Sequence, residues 1–388
     1  MSTWRNVTLG EVCDILDSKR KPITKKHRVE GQYPYYGATG VLSYVDDYIF
    51  SERLVLIGED GAKWGAGDNT AFIVEGRYWV NNHAHVIRPH MSKVIDKWIV
   101  YFLNFSDLSK YITGLTVPKL NQEKMRGIVL PLPSFQEQKQ IVALLDKAFA
   151  ALDKAKANVE QNLNNAKELF ENYLNEVFEN RGDDWEEKIL AQIAISFGRG
   201  KSKHRPRNDK KLYGGKYPFI QTGDIRNSNH FITKYTQTYN EIGLAQSKLW
   251  PKGTICITIA ANIAETGILD FDACFPDSII GLVVNEKVAD LHFVEFLLQS
   301  FKVYLQSKSK GSAQDNINLG TFENELFPFP PLKEQKSIVS KLNTLYMHTI
   351  RLEEMYEQKL AQLEDLKKSI LKKAFSGELT NKPIPEYV

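Results

Sequence analysis

The feature that most constrains the fold of this chain is a long stretch that occurs twice. The first copy begins PLPSFQEQK at Pro131, and the second begins PFPPLKEQK at Pro328. The copies stay aligned without a gap, because Phe178 near the end of the first still matches Phe375 in the second. An internal repeat of this kind indicates the architecture before any single element is assigned.

Each copy predicts one long helix. The prolines at its start force an extended approach and cannot continue a ladder, so the helix begins after them. Apolar residues then recur every three or four positions and form one stripe, with charged residues on the other faces. The stripe residues are Ile141, Leu145, Ala148, Leu152, Ala155, Val159, Leu163, Ala166, Phe170, Tyr173 and Val177 in the first copy, and Ile338, Leu342, Leu345, Leu352, Tyr356, Leu360, Leu363, Ile370 and Ala374 in the second. A helix so long and narrow needs a partner, and the other copy is the simplest one. The alternative is that each helix packs only on its own domain.

Composition limits the surfaces that the chain can offer. Its 388 residues suffice for two hydrophobic cores, and its net charge of +3 means that any nucleic-acid surface must come from local clusters of cations. Cys13, Cys256 and Cys274 lie far apart, which suggests a reducing compartment and gives no metal or disulfide signature. The start MSTWRNVTLG lacks an apolar core, and no run of about eighteen apolar residues occurs. We expect a cytoplasmic protein with no membrane contact.

The sequence before each predicted helix is duplicated as well, though more loosely. Three matches carry this repeat: Trp4–Val12 with Trp185–Ile193, Gly31–Gly37 with Gly215–Gln221, and Lys119–Asn121 with Asn316–Asn318. The spacing between matched segments grows along the chain, as insertions in surface loops would cause. The order is therefore module, helix, module, helix.

Within each module, short apolar or alternating runs separated by Gly, Asp and Asn predict β-strands. The predicted strands are Tyr48–Phe50, Leu54–Ile57, Ala71–Val74 and His85–Ile87 in the first module, and Thr254–Ala260 and Ile279–Val284 in the second. One helical stretch follows in each module, at Ile95–Asn104 and at Val288–Leu305. We expect each module to be a compact α+β domain with much irregular loop.

Two loops rich in Lys and Arg occupy equivalent places, shortly after the opening segments. Their cations are Lys19, Arg20, Lys21, Lys25, Lys26 and Arg28 in the first module, and Arg199, Lys201, Lys203, Arg205 and Arg207 in the second. One such loop is ordinarily solvated surface, but two placed alike in a nearly neutral protein favour contact with phosphates. Clustered cations neutralise phosphates and release counterions, which gives affinity that does not depend on sequence.

Recognition of a sequence also needs polar side chains near that positive surface. Each candidate taken singly is more often an ordinary turn, but the set is typical of a surface that reads bases. The candidates are Lys63, Asn81, Asn82 and His83 in the first module, and Gln221, Thr222, Asp224 and Arg226 in the second, with Lys308, Lys310 and Gln314 in a later polar loop.

The sequence offers no complete catalytic motif. Gly200–Ser202 resembles the end of a phosphate-binding loop, but Ile195 stands where that motif needs its first glycine. His83 and His85 alternate as on a strand and have no third ligand nearby, so zinc is not expected. Pro276–Asp277 resembles half of a nuclease motif whose second half is missing, and neither GxGxxG nor the Asn-Pro-Pro-aromatic run of amino-methyltransferases occurs. We predict neither a catalytic nor a metal site.

Several segments are similar to those of one protein family. The helix starts at Leu132–Gln138 and Phe329–Gln335 carry most of the similarity, with the tryptophan openings and the Ala-Phe-Ser-Gly-Glu-Leu ending at Ala374–Leu379. Further similar segments are Gly58–Ala62 with Asn81–His85, and Phe219–Ile225 with Cys274–Gly281. Through them, and over essentially its whole length, the chain resembles the specificity (S) subunit of a type I restriction-modification system.

The resemblance implies an α+β fold with two similar target recognition domains of mixed α/β structure. These are separated by two long helices that pair as an antiparallel coiled coil, which gives a pseudo-twofold internal repeat. The implied boundaries are target recognition domain 1 at 1–130, spacer helix 1 at 131–180, target recognition domain 2 at 181–327, spacer helix 2 at 328–379 and a C-terminal tail at 380–388.

The resemblance also implies a non-catalytic subunit that binds double-stranded DNA. Each recognition domain would read one half of a bipartite site, while the helices set the spacing and dock two modification (methyltransferase) subunits. Those partners bind S-adenosylmethionine and carry out the chemistry, so no cofactor is expected in this chain. Restriction (motor-nuclease) subunits then cut unmodified DNA.

Two other functions stay open on the sequence. A non-catalytic scaffold protein would bridge protein partners through the two modules, and a stand-alone enzyme ranks third because no active site is found. Salt-sensitive, sequence-selective binding to a defined duplex separates the first two functions. Because the two modules differ from each other, we expect different half-sites, but the residues do not specify which bases are read.

Overall fold

Two compact units make up the chain. The structure is a computed structural model, and it describes residues 4–114, 116–260, 263–309 and 319–379. The first unit is formed by Met1–Gln161 together with Tyr356–Val388, and the second by Asn162–Met355. The first unit therefore combines two distant parts of the sequence, and the second comes from the middle. Each unit includes parts of both long helices.

The first unit is built on a four-stranded antiparallel sheet. Its elements are β1 (Arg5–Thr8), α1 (Leu9–Val12), β2 (Cys13–Ile15), β3 (Tyr33–Gly37), β4 (Gly40–Val45), β5 (Leu54–Gly58), β6 (Ala71–Val74), β7 (Trp79–Val80), β8 (Ala84–Pro89), α2 (Asp96–Phe105), α3 (Gln122–Arg126), β9 (Val129–Leu132) and the first part of α4 (Phe135–Glu179). The main sheet has the order β2-β8-β5-β6, a smaller sheet has the order β4-β3-β7, and β1 pairs with β9. Every residue of β5 is buried, as a strand enclosed on both sides requires.

The second unit repeats this plan with a longer main sheet. Its elements are β10 (Glu186–Lys188), β11 (Ala194–Arg199), β12 (Tyr213–Phe219), α5 (Thr222–Arg226), β13 (Phe231–Ile232), β14 (Gln237–Tyr239), α6 (Glu241–Ala245), β15 (Leu249–Trp250), β16 (Ile255–Thr258), β17 (Thr266–Leu269), β18 (Ala273–Cys274), β19 (Ile279–Val284), α7 (Leu291–Ser300), α8 (Lys302–Ser309), α9 (Leu319–Glu323), β20 (Phe327–Phe329) and the first part of α10 (Leu332–Phe375). The sheets have the orders β11-β19-β16-β17-β13 and β14-β12-β18-β15, and β10 pairs with β20. The α+β prediction for each module is confirmed.

Most predicted strands are confirmed, because β5, β6, β8, β16 and β19 lie where the apolar runs indicated. The strand predicted at Tyr48–Phe50 is wrong. Phe50 forms only an isolated bridge with Tyr78, and the two rings stack 5.7 Å apart, so Phe50 is buried by side-chain packing and belongs to no strand. The single helix predicted at Val288–Leu305 is interrupted at Phe301, whose ring packs 5.2 Å from that of Phe327.

In the first unit, the duplicated Glu-Gln pair fastens α4 to its module. Trp4 Nε1 donates to Glu137 Oε2 at 3.1 Å, which explains why the tryptophan opening recurs with the helix start. Gln138 is fully buried, and its Oε1 accepts from the Ile95 N–H at the start of α2 at 3.0 Å. Its Nε2 donates to the Pro133 carbonyl at 3.1 Å. The amide therefore satisfies backbone groups that burial would otherwise leave without partners.

The second unit builds the same joint at the start of α10. Trp185 Nε1 donates to Glu334 Oε1 at 3.2 Å. The buried Gln335 accepts from the Asp290 N–H, next to the start of α7, and donates to the Pro330 carbonyl, both at 2.8 Å. The repeated Glu-Gln pair therefore forms the same structural joint at the start of each long helix.

The two long helices pair in an antiparallel sense, as expected. In the first unit, Lys156 Nζ of α4 lies 3.0 Å from Glu364 Oε1 of α10. In the second unit, a later residue of α4 meets an earlier one of α10, since the Phe170 and Tyr346 rings are 5.2 Å apart. All of the predicted stripe residues are buried or half-buried. None of the described helices combines the length and apolar character needed to cross a membrane.

Each long helix also ends against the other module. The Phe178 ring of α4 lies 5.4 Å from Phe293 in the second unit, and the Phe375 ring of α10 lies 4.8 Å from Trp98 in the first. The matched positions Phe178 and Phe375 thus make matched contacts. Each unit contains the start of one long helix and the end of the other.

Candidate nucleic-acid interface

In the first unit, the basic loop and the 81–83 turn lie against each other. The loop follows β2, and the turn lies between β7 and β8. Arg20 joins the two, because its Nη1 donates to the carbonyl of Asn82 at 3.3 Å and to that of Ala84 at 2.9 Å. The predicted phosphate loop and three of the predicted base-reading residues are therefore neighbours.

A buried cluster of charges continues from this contact into the unit. Asp17 Oδ2 accepts from His85 Nδ1 at 2.6 Å and lies 3.4 Å from Arg20 Nη2. Arg20 also bonds to Glu59, whose other carboxylate oxygen lies 2.7 Å from Lys119 Nζ. Because the Arg20 side chain is only 13% exposed, its guanidinium is committed to the interior.

Internal partners hold the pKa values of both carboxyl groups of this cluster below their usual range. Burial alone would raise the pKa of Asp17, but the hydrogen bond from His85 and the charge that ring carries when protonated outweigh it. Burial likewise would raise the pKa of Glu59, and the hydrogen bonds from Lys119 and Arg20 outweigh it. Both groups are therefore stabilised as carboxylates in the folded chain.

The same cluster has the residue types of a metal site. One ligand atom from each of Asp17, Glu59 and His85 lies within 4.8 Å of the others, which is close enough to hold an ion. However, the carboxylates already bind Arg20 and Lys119, and the ring already binds Asp17. A metal ion would have to displace two internal cations, so the cluster is an ion-pair network in this structure.

In the second unit, the 276–278 turn occupies the equivalent place. The sheet sets the equivalence, because the carbonyl of Ser278 accepts from the Ile259 N–H at 3.0 Å. In the first unit, the carbonyl of His83 accepts from the Glu59 N–H at 2.9 Å. Asp277 therefore stands at the position of Asn82.

The second basic loop is hydrogen-bonded to this turn at Asp277. Arg199 Nε donates to the Asp277 carbonyl at 2.7 Å, and Arg207 Nη2 donates to its two carboxylate oxygens at 2.7 and 2.9 Å. Gly200 lies so close to the start of the turn that a Cβ there would meet the backbone carbonyl oxygens of Phe275 and Pro276, both at 2.4 Å. Only glycine permits this approach of one backbone to the other.

A cavity of about 360 Å³ adjoins the same turn, and its lining includes Arg207, Gln221, Thr222 and Gln237. Gln221 Nε2 donates to Gln237 Oε1 at 2.7 Å, which fixes the two amides relative to each other. An amide side chain offers both a donor and an acceptor, which is the pattern that matches adenine in the major groove.

The other predicted residues around the cavity have different surroundings. Asp224 Oδ2 accepts from the Gln221 backbone N–H at 2.8 Å, so Asp224 caps the start of α5. Arg226 is exposed at the end of α5. The two lie on one short helix beside the 276–278 turn.

The predicted cations divide by residue type. The arginines are tied to the protein: Arg28 lies over the Tyr35 ring at 4.3 Å and donates to Ile23, and Arg205 donates to the Ser202 carbonyl at 2.7 Å. The lysines are exposed, and none forms an ion pair with another residue in the part of the chain that the structure describes. They are Lys19, Lys21, Lys25, Lys26, Lys63, Lys201 and Lys203.

The remaining residues of the first turn also differ in role. Asn81 is buried, and its Oδ1 accepts from the His83 N–H at 2.8 Å, which closes the turn. His83 Nδ1 pairs with Asp60. Asn82 is exposed. Of the later loop, Lys310, Gln314 and the side chain of Lys308 lie outside the described residues.

Sequence reasoning missed three residues that organise the site: Asp17 and Lys119 of the ion cluster, and Gln237 of the amide pair. Glu59 lies in the segment Gly58–Ala62, which the sequence had already singled out. A signal for Lys119 existed, because the Lys119–Asn121 segment is part of the loose repeat. Asp17 and Gln237 carried none, since their partners His85 and Gln221 become neighbours only in the folded sheet.

A family model described as the type I restriction modification DNA specificity domain matches residues 1–164 and, a second time, residues 182–364. The chain belongs to this family. The double match agrees with the two modules, and a domain for DNA specificity disfavours the scaffold alternative. The role of this specificity chain is recognition of DNA sequence.

Known relatives extend over most of the chain. A putative type I restriction enzyme specificity subunit of Haemophilus influenzae is 26% identical over 86% of this chain and 86% of its own length. The EcoDI specificity subunit of Escherichia coli is 24% identical over 97% and 89%. In fold, the chain is similar to a solved chain from work on complex assembly and conformational transition of the type I restriction-modification system, with a TM-score of 0.74, 18% identity and coverage of 97% and 98%. It is also similar to the crystal structure of the specificity subunit of Thermoanaerobacter tengcongensis, with a TM-score of 0.60, 18% identity and the same coverage.

Proposed function

We propose that this chain supplies sequence recognition in a type I restriction-modification complex, with each module reading one half of a bipartite site in double-stranded DNA. One observation carries the proposal: in each unit, an arginine of a basic loop binds the equivalent carbonyl of a polar turn. Cations bind phosphates whatever the sequence, and polar side chains of the turns contact base edges. Two such arrangements in one chain fit a site with two halves.

Partner subunits carry out the chemistry in this proposal. The chain is non-catalytic and binds no cofactor, while two modification (methyltransferase) subunits bind S-adenosylmethionine and methylate the DNA. Restriction (motor-nuclease) subunits cut unmodified sites, and the complex works in the cytoplasm. The fold similarity to a chain solved in work on assembly of the type I system supports such partnerships.

The paired long helices set the spacing of the DNA segments and dock the methyltransferase subunits. Leu169 of α4 and Met347 of α10 support docking, because both are large apolar residues that are about half exposed, at 48% and 50%. Leu169, Tyr173 and Leu345 line an apolar depression of about 470 Å³ between the helices. An exposed apolar patch of this kind is typical of a protein–protein interface.

The exposed lysines of the basic loops are the phosphate contacts in this proposal. Their ammonium groups are hydrated point charges on flexible stems, which can follow a DNA backbone without a fixed geometry. Among the lysines of the first loop, Lys21, Lys25 and Lys26 have no described ion-pair partner to leave on binding DNA. Their electrostatic attraction is therefore available to the duplex.

Replacement of Lys21, Lys25 and Lys26 with Gln should weaken binding to every duplex by a similar factor. The reason is that phosphate contacts do not depend on the DNA sequence. Each lost phosphate contact should also flatten the slope of log affinity against log salt concentration by about 0.9. The measurement is the affinity of the complex for a specific and a scrambled duplex at several salt concentrations.

Lys147→Gln is the matched control, because Lys147 is exposed on α4 outside both basic loops. An unchanged salt slope in the triple variant would mean that these lysines do not contact phosphates. A complex of the unaltered chain that showed no sequence preference and no salt dependence would favour the scaffold function instead.

A further inference from the structure

We propose that Arg20 and Arg199 are positioning residues: they set the base preference of each module by fixing the carbonyl of the 81–83 and 276–278 turns, without contacting DNA. This inference rests on the proposed function and deepens it. It separates two kinds of cation within loops that look uniform in sequence.

Arg20 uses its guanidinium entirely inside the first unit. Nε donates to the Asp17 carbonyl at 3.1 Å, and Nη1 reaches the carbonyls of Asn82 and Ala84 at 3.3 and 2.9 Å. Nη2 faces the Asp17 carboxylate at 3.4 Å. A planar fork of donors can bind several oxygens in fixed directions, whereas an ammonium group cannot hold the same set.

Arg199 makes the corresponding contact in the second unit from a different place in the chain. It is the last residue of β11 and pairs with Ile280, whereas Arg20 lies in the loop well beyond the end of β2 at Ile15. Its Nε nevertheless donates to the Asp277 carbonyl, which stands where the Asn82 carbonyl stands in the first unit. Simple duplication would have kept the arginine at one position. The same contact built from two positions points to a requirement at that carbonyl.

Holding this carbonyl in place also orients the side chain of the same residue. In the first unit that side chain is the exposed amide of Asn82. In the second unit it is the carboxylate of Asp277, which in turn holds Arg207 at the edge of the cavity. A recognition contact must be held to within about 0.5 Å to keep its geometry. A turn that could move would therefore discriminate less well between bases.

The test uses the complex of the full chain with its methyltransferase subunits, after its target has been read from the methylation pattern. Arg199→Gln should lower discrimination about tenfold at one or two base pairs of the half-site read by the second module. The other half-site should be read as before, and the salt slope should not change. The untouched half-site is an internal control against general misfolding.

Lys201→Gln, in the same loop, is the matched contrast. It should flatten the salt slope by about 0.9 and leave discrimination at both half-sites intact. If Arg199→Gln behaves like Lys201→Gln, or changes neither quantity, the positioning role is wrong. If the unaltered complex reads no bipartite sequence at all, the proposed function itself fails, which is a different result.

Arg20→Lys extends the test to the first unit. It keeps a cation beside Asp17 and Glu59 but loses the fork that reaches Asn82 and Ala84. We expect relaxed preference in the other half-site only, with hydrogen exchange confirming that the first unit stays folded. A folded Arg20→Lys complex with unchanged preference would overturn the proposal for this module, whatever Arg199→Gln does.

Discussion

At the scale of single residues, arginine and lysine have separate tasks in these loops. Arg20, Arg28 and Arg199 each donate to a backbone oxygen of their own unit. Lysines such as Lys21 and Lys201 extend into solvent with no described ion-pair partner. The difference follows from chemistry, because a rigid fork suits fixed acceptors and a flexible ammonium group suits a mobile phosphate backbone. The loops therefore combine a rigid interior with an adaptable exterior.

The amide pair Gln221–Gln237 is the sharpest candidate for base readout. Gln221→Leu should relax discrimination by about 1–3 kcal/mol at one base pair of one half-site, because a bidentate contact with adenine is lost. Gln237→Leu should relax the same base pair, since Gln237 holds the Gln221 amide at 2.7 Å. Competition binding with duplexes that vary each position measures the effect. Relaxation at different base pairs, or none, would mean that the pair is not a reading unit.

Acid stability of the first unit should depend on Asp17. Its pKa in the folded chain lies below the ordinary value of 3.8, so its contribution to stability is present above that value and is lost as the pH falls through the folded pKa. Asp17→Asn should cost about 1–3 kcal/mol at pH 7, because a buried charged partner is lost. It should also remove part of the stability loss below about pH 4.

Urea unfolding between pH 7 and pH 3 measures both effects, with hydrogen exchange at Val86, whose N–H donates to Asp17 Oδ1 at 2.9 Å, as the local readout. Asp46→Asn is the control, since Asp46 is exposed on the same unit. An Asp17→Asn chain that kept the full acid dependence would contradict this assignment.

At the scale of elements, each long helix depends on one buried glutamine at its start. Gln138→Leu leaves the Ile95 N–H and the Pro133 carbonyl without partners, and each such loss costs about 1–3 kcal/mol. We expect the free energy of unfolding of the first unit to fall by about 2–4 kcal/mol. Gln335→Leu should do the same in the second unit, where Asp290 loses its acceptor.

Urea unfolding followed by hydrogen exchange shows which unit opens in each variant. Gln140→Leu is the matched control, because Gln140 is exposed on the same helix, and it should change stability by no more than about 0.5 kcal/mol. If Gln138→Leu and Gln140→Leu were equally stable, the joint would not be what holds the helix to its module.

At the scale of the whole molecule, the helix pair is the element that would set the spacing between half-sites. A four-residue insertion adds about 6 Å of helix, and base pairs are about 3.4 Å apart, so the unread spacer should grow by about one or two base pairs. The contacts of Lys156 with Glu364 and of Phe170 with Tyr346 place Asn164 opposite the region of Glu354. The insertion must therefore be made after both Asn164 and Glu354.

Methylation sequencing of this double insertion measures the spacer, with both half-sites expected to stay the same. Each added base pair also rotates the second half-site by roughly 35°, which limits the tolerated change. Insertion after Asn164 alone is the control, and it should fold poorly because it breaks the register of one pair of contacts. A stable and active double insertion with the original spacer would show that the helices are not the ruler.

The sequence by itself determined the order of modules and helices, the stripe of each helix and the positions of most central strands. These features are encoded locally: prolines stop one element, apolar periodicity defines the next, and the repeat doubles the information. Even Glu137–Gln138 stood out before its role was known. Local patterns also misled at Tyr48–Phe50, where the Phe50 ring packs on Tyr78 and the backbone forms only an isolated bridge.

Only the tertiary structure decided which polar residues work together. His85 meets Asp17, and Gln221 meets Gln237, through pairing of strands that no local pattern specifies. In the same way, Arg20 and Lys21 are alike in sequence, yet Arg20 is half-buried and bonded to carbonyls whereas Lys21 is exposed. The physical reason is that a charge or an amide is assigned its task by the acceptors that the fold brings to it, and those acceptors come from distant parts of the chain.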